Sequence, residues 1–490
     1  MNTPGRDPAP GGHASRVALG ALAAGVAGGL AAHALGPLAL PAAGAMLAAA
    51  AAAVAPAVVA LLLLVTVIVQ DWVVDTALPA FQQADEVLLA VGLAGLALRA
   101  LARGRLARTP LDVPIVAFGA VAALSAVVNG VPAWIAALGL LAVWKGPLAY
   151  ALFARVRITG AAVERAARLL LGLVAALAAL GVAQRLGGAA VFQLTGRLTY
   201  YLEWQGTKAP SLFTNHNAFG HACVLGGLLA VGLALTTAEG RRRAVVLAGL
   251  ACLAGLVVSA SRESWLAAAA ALAVGAAVTR SRRLLALSFV VCLALAAGAL
   301  VVYVGSPFLK EELVRRGAGV FDGWRNYRLG FDDWAYRGEY RVYVLLKSWQ
   351  VFLDQPLLGV GPGRFGGQVA FVHGSAVYER YAFLPLRGEY HPLDVFWSRL
   401  VTEFGLAGAA AYLWAWLRAG LGLARAAAHP VAVTRGLALG GVMAWAAAAV
   451  LALFAPALED PLVALPVWAW AGAVLVLSRS AEGDRAGSGT

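Results

Sequence analysis

Three side chains stand out because each could act on a charged substrate and each lies beside an apolar run: Arg262, Arg341 and His391. An arginine guanidinium is a planar fork that can donate to two phosphate oxygens at once. A histidine titrates near neutral pH and can accept a proton from a hydroxyl group as a general base. Two fixed arginines near one interface would suit the head of a lipid diphosphate.

Each of these residues also has a simpler explanation when it is taken alone. Arg262 could extend to the lipid headgroups or pair with the neighbouring Glu263, and Arg341 could form a surface salt bridge with Glu339. A single histidine such as His391 is more often structural than catalytic. The chemical hypothesis therefore depends on whether the chain brings the three residues to the same place.

The composition of the chain predicts a polytopic membrane protein. Of the 490 residues 61% are hydrophobic and only 13% are charged, whereas soluble domains carry about 25% charged residues. Since a spanning helix needs roughly 20 apolar residues, the sequence predicts an all-α fold with about twelve to fourteen transmembrane helices. The candidate spans are about 16–35, 38–54, 55–73, 84–101, 111–129, 132–152, 166–187, 211–237, 243–260, 263–279, 283–304, 394–420, 431–455 and 461–478.

The longest stretch without a predicted span carries Arg341 and His391 and reads as one large polar loop. It divides the chain into five parts with distinct compositions. They are a disordered N-terminus at 1–15, a helical bundle at 16–304, the large loop at 305–393, the C-terminal helices at 394–480 and a disordered tail at 481–490.

Arginine clusters predict how the chain is oriented. Clusters near residues 99–108, 155–168, 241–243, 280–283 and 418–435 all fall on one side of the predicted spans, which the positive-inside rule makes cytoplasmic. Both termini are then cytoplasmic. This arrangement also explains the net charge of +13 without a nucleic-acid partner. The large loop and the turn before Arg262 fall together on the opposite, extracytoplasmic face.

Two further features of the chain could form binding sites, a glycine-rich turn and an acidic pair. The turn Gly359–Gly366 lacks the Gly-Lys-Ser/Thr ending of a P-loop, so we expect a tight turn that positions Arg364 and Phe365. Adjacent Asp332 and Asp333 are more typical of solvated or ion-paired acids than of a metal site, because hard cations need several oxygen ligands. The sequence thus predicts no metal and no cofactor.

The order of these features resembles the O-antigen ligase family and its relatives, the O-antigen polymerases and the bacterial protein O-oligosaccharyltransferases. The matching pieces are Ser261-Arg262 with Trp265, Arg341 before an amphipathic helix, Gln355–Phe365, His391 with Glu403–Gly408, and Ser211–Asn217. The family often has Asn close after this histidine, whereas here Pro392 follows, which leaves the subfamily open.

The resemblance implies a GT-C-like membrane glycosyltransferase of the inner membrane with its active site facing the periplasm. The donor would be a glycan on undecaprenyl diphosphate, and the acceptor lipid A–core oligosaccharide, in lipopolysaccharide biosynthesis. The family's essential arginines would be Arg262 and Arg341, and its essential histidine His391. We also expect donor or glycan contacts from four further residues: Arg364, Asn217, Arg337 and Tyr340.

Other functions remain open from the sequence. An O-antigen polymerase or a protein O-oligosaccharyltransferase would use the same donor chemistry with a different acceptor. A transporter for a lipid-linked substrate is a more distant alternative. An enzyme predicts charge at one face of the membrane, and a transporter predicts charge near the middle of the spans.

Overall fold

The computed structural model describes residues 48–76, 78–104, 106–156, 158–304, 340–381 and 395–488. Within these ranges the chain forms helices and their connections and no strand, which confirms the all-α prediction. Before the large loop the helices are α1 (48–54), α2 (Pro56–Thr76), α3 (Ala84–Arg103), α4 (Asp112–Val128), α5 (Ala133–Phe153), α6 (Gly160–Leu194), α7 (Leu198–Trp204), α8 (His216–Ala234), α9 (Glu239–Ser259), α10 (Arg262–Thr279) and α11 (Arg282–Val304), with a 3₁₀ helix at Pro79–Gln83. Within and after the loop they are α12 (Tyr340–Asp354), α13 (Gly367–His373), α14 (Ala376–Arg380), α15 (Phe396–Ala426), α16 (Ala432–Leu451) and α17 (Pro461–Ser488).

The helices match the predicted spans closely. Every predicted span from the third onward has a helix in the structure, while the first lies outside the described residues and the second is described only as 48–54. In the described part of the chain, eight helices are long and apolar enough to cross a membrane. Disorder of the N-terminus and of the tail at 481–490 stays a prediction, although helix α17 is continuous to Ser488.

Helix α8 lies at the centre of the bundle, where it packs against α6, α9, α10 and α16. Small residues allow this close packing, as is common between helices in lipid. A Cβ added to Gly232 of α8 would lie 2.4 Å from the carbonyl oxygen of Gly436 in α16. Outer helices expose large apolar side chains instead, among them Leu250 and Phe289, as expected of surfaces that face lipid.

Helix α15 is broken at Gly405, and a segment of the large loop fills the break. Gly405 has φ 61° and ψ −169°, which interrupts the helical hydrogen bonds. The N–H groups of Val360 and Gly361 donate to the carbonyls of Thr402 (3.0 Å) and Glu403 (2.9 Å). Because unpaired backbone groups are costly when they are buried, this pairing stabilises the break. We call residues 356–366 the inserted turn.

The other side of the inserted turn is held by helix α4. Ser125 Oγ donates to the carbonyl of Leu358 at 2.6 Å, and Asn129 Nδ2 donates to the carbonyl of Gly359 at 2.9 Å. Asn129 terminates α4. The inserted turn is therefore held between helices α4 and α15.

The orientation predicted from the arginine clusters can be tested by cysteine labelling. In a chain with Cys223, Cys252 and Cys292 replaced by alanine, a cysteine at exposed Glu379 in α14 should react with an impermeant maleimide on intact spheroplasts. A cysteine at exposed Arg242 should react only after the membrane is permeabilised. Reaction of the cysteine at position 242 on intact spheroplasts would show that the topology is the reverse of the predicted one.

Candidate functional site

Arg262 is the first residue of helix α10 and is exposed at the outward end predicted above. The turn that leads into it is held rigidly by buried hydrogen bonds. Ser261 Oγ and Ser264 Oγ are 2.7 Å apart, and Ser259 Oγ donates to the Leu256 carbonyl at 2.7 Å. Trp265 Nε1 donates to the same carbonyl at 2.8 Å. These hydrogen bonds thus hold the backbone at Arg262 in one orientation.

A buried polar contact ties the first turn of α10 to helix α8. His221 Nε2 lies 3.3 Å from Glu263 Oε1, and both side chains are largely buried. Asp460, in the link before α17, accepts from the Leu462 N–H at 2.9 Å and interacts electrostatically with His221. Burial raises the pKa of the Asp460 carboxyl, and the nearby His221 opposes this rise. Three segments therefore meet beside Arg262.

A second buried ionic group joins the inserted turn to α15 and to the link before α17. Arg399 is fully buried, lies 3.1 Å from Glu403 Oε2 through its Nε, and also forms an ion pair with Glu459. Glu403 Oε1 accepts a hydrogen bond from the Phe365 N–H at 2.9 Å. This hydrogen bond holds Phe365, the residue after Arg364, against helix α15.

The segment 205–215 lies beside the turn that precedes Arg262. The Ala209 N–H donates to the Val258 carbonyl at 3.1 Å, which places this segment against the outward end of α9. Asn215 caps helix α8 by accepting from the N–H groups of Asn217 and Ala218, both at 2.9 Å. The predicted residue Asn217 is thus in the first turn of α8, and its side chain is half-buried.

The structure places some of the predicted site residues at one end of the bundle, whereas others lie outside the described residues. Arg262, Asn217 and the half-buried Arg364 lie on segments connected by the contacts above. Tyr340 and Arg341 begin helix α12, but only their backbone is described. Arg337 and His391 lie outside the described residues, as do Asp332 and Asp333, so the catalytic assignments stay predictions.

Several polar residues of this region were missed by sequence reasoning. Glu403 appeared in the sequence analysis only as the start of the motif Glu403–Gly408, and the structure shows that its carboxylate accepts a hydrogen bond from the inserted turn. Arg399 was overlooked, although its spacing from Glu403 on one helix was a readable signal, since residues four apart face each other. His221 gave no such local signal, because its partner Glu263 lies 42 residues later. Lys208 was also overlooked, although its aromatic partner Trp204 lies only four residues before it.

No group of three or more His, Cys, Asp or Glu side chains that could hold a metal ion occurs in the part of the chain that the structure describes. The expectation of a metal-free site is not tested by this, since the acidic pair in the large loop lies outside that part. What the described residues offer instead is arginine: Arg262 and Arg364 are both accessible to solvent at least in part. This chemistry favours an anionic ligand.

Comparison with known families agrees with the resemblance found in the sequence. Residues 247–413 match a family model described as O-antigen ligase. This segment covers about a third of the chain. It includes Arg262, the inserted turn, the part of α15 that contains the break, and the predicted residues Arg341 and His391. No curated protein matches the chain significantly.

Proposed function

We propose, on the premise that residues 247–413 belong to the O-antigen ligase family, that this protein transfers a glycan from undecaprenyl diphosphate to lipid A–core oligosaccharide at the periplasmic face. The family match carries the proposal and supports a membrane glycosyltransferase of the ligase or polymerase kind. The ligase acceptor, the polyprenyl donor and the periplasmic location are our own extension of that match.

The proposed reaction is a single inverting displacement. The acceptor hydroxyl attacks the anomeric carbon while His391 takes its proton, and the bond from that carbon to the diphosphate oxygen breaks. The diphosphate leaves with the electron pair, so the charge that needs stabilising grows on its oxygens. Arg262 and Arg341 would supply fixed positive charge there, as preorganised groups do in many transition states.

The described contacts support this role for Arg262. A cation that stabilises a leaving group must be held in place before the reaction. Arg262 follows a turn whose serines and Trp265 are hydrogen-bonded internally, and the next residue, Glu263, contacts His221 of another helix. The side chain of Arg262 is nevertheless exposed. It is therefore anchored at its backbone and available to a ligand.

The acceptor can be identified by reconstitution. Purified protein in liposomes would receive a labelled undecaprenyl-diphosphate glycan with lipid A–core, a second lipid-linked glycan or a pilin-like protein. We expect label to move to lipid A–core. Transfer only to the second lipid-linked glycan would identify a polymerase, and transfer only to the protein would identify a protein glycosyltransferase.

Substituting lysine for Arg262 should separate charge from geometry. An ammonium keeps the charge but cannot bridge two phosphate oxygens, so turnover of Arg262→Lys should fall roughly tenfold to a hundredfold. The matched control is Arg280→Lys at the opposite end of the same helix, where the arginine is also exposed. Steady-state rates of glycan transfer measure both. Equal rates for the two variants would contradict a forked diphosphate contact at Arg262.

A further inference from the structure

Lys208 is a cation that the proposed mechanism does not use. Lys208 is only 5% exposed, and its ammonium nitrogen lies 3.5 Å from the centre of the Trp204 ring. A cation at this distance is attracted to the face of an aromatic ring. Trp204 in turn packs beside His216, with ring centres 5.4 Å apart, and His216 contacts the hydroxyl of Tyr200. The ammonium group therefore has a defined position.

The backbone around Lys208 is held in conformations that are unusual for residues other than glycine. Gln205 has φ 48° and Ser211 has φ 53°. Ser211 is kept there by three hydrogen bonds: its N–H donates to Gln184 Oε1 (2.8 Å), its Oγ to the Leu177 carbonyl (2.7 Å), and Gln184 Nε2 to its carbonyl (2.9 Å). Such outliers persist only where surrounding structure enforces them, and they concentrate at functional sites.

This segment lies against the turn that carries Arg262. The residue after Lys208 donates its N–H to Val258, and only the short turn 259–261 separates Val258 from Arg262. The segments that carry Lys208 and Arg262 are thus joined by a backbone hydrogen bond at the same end of the bundle. Because most of the Lys208 side chain is shielded from water, its attraction for an anion is less weakened by solvent than that of an exposed lysine.

We propose that Lys208 is a third cation of the site, which binds a phosphate of the lipid-linked donor together with Arg262. This inference rests on the proposed function and names a residue outside the segment that matches the family. Lysine binds phosphate as a point charge, so its contribution is to hold the donor in the ground state. Trp204 serves as the platform that fixes the ammonium group.

The test is binding of geranyl diphosphate and geranyl monophosphate to the purified full-length protein in lipid nanodiscs. We expect Lys208→Met to weaken geranyl diphosphate binding roughly tenfold, as loss of one charge-assisted hydrogen bond would. Monophosphate binding should change less, and Lys208→Arg should restore diphosphate binding. The control is Arg185→Met, which removes an exposed charge from α6 next to Gln184 and should leave both affinities unchanged.

The outcomes separate this inference from the proposed function. If the wild-type protein binds neither probe, the lipid-diphosphate donor is wrong and the inference about Lys208 falls with it. If the wild type binds geranyl diphosphate and Lys208→Met binds it equally well, only the inference about Lys208 is overturned. A loss of diphosphate binding in Lys208→Met that Lys208→Arg does not restore would also overturn it, because the effect would then not depend on a positive charge at this position.

Discussion

Replacing His391 with alanine is expected to slow glycan transfer by roughly 10²–10⁴-fold, the usual contribution of general acid–base catalysis. Without the imidazole the acceptor hydroxyl must lose its proton to water. The proposed contacts of the donor diphosphate with Arg262 and Arg341 are unaffected. Donor affinity should therefore be unchanged. The measurement is single-turnover transfer from the undecaprenyl-diphosphate glycan, together with equilibrium binding of the same donor.

The control for this prediction is His373→Ala. His373 ends helix α13 in the same large loop, is exposed, and contacts the edge of the Trp134 ring. Its loss should leave transfer within about twofold of wild type, since surface substitutions have small effects. A purified His391→Ala protein with the wild-type rate would exclude His391 as the base and leave the arginines to be tested alone.

The second large effect is expected on stability, at Arg399. Arg399→Met would leave Glu403 and Glu459 buried without their cation, and breaking a buried ion pair on one side costs about 3–5 kcal/mol. Denaturant unfolding in detergent micelles, followed by tryptophan fluorescence, measures the change in the free energy of unfolding. The control Arg425→Met lies on the same helix, is exposed, and should change that free energy by less than about 0.5 kcal/mol.

A double variant shows whether the cost at Arg399 is electrostatic. Arg399→Met with Glu459→Gln removes one of the two stranded carboxylates and should recover part of the lost stability. If the double variant is as unstable as the sum of the two single variants, Arg399 acts through packing. The contact between Glu403 and the Phe365 N–H also predicts that loss of Arg399 loosens the inserted turn.

The helices could be predicted from the sequence because each forms from a continuous apolar run, which can be recognised without reference to the rest of the chain. The glycine turn at 359–366 was also predicted as a turn, since its Gly-Pro-Gly core allows few other conformations. Its place inside the break of α15 could not be predicted. That pairing depends on Gly405, more than forty residues away, and apolar periodicity carries no signal for it.

The candidate site was predictable to a similar extent. Arg262 could be placed at the end of a helix because a charge there interrupts two apolar runs. The contacts that surround it could not be read from the sequence. His221 lies in the middle of an apolar run, and its partner Glu263 comes 42 residues later. The sequence around Lys208 is typical of an ordinary loop and gives no sign that the Ala209 N–H donates to the Val258 carbonyl.

The most direct test of the central claim is the amount of undecaprenyl diphosphate released for each glycan transferred by the purified protein in liposomes containing lipid A–core and EDTA. We predict one molecule released per glycan transferred, with inverted configuration at the anomeric carbon in the NMR spectrum of the product. The assay should proceed in EDTA, because arginines rather than a divalent cation are proposed to hold the diphosphate. Movement of the intact lipid-linked glycan across the bilayer without release of undecaprenyl diphosphate would contradict the claim and identify a transporter.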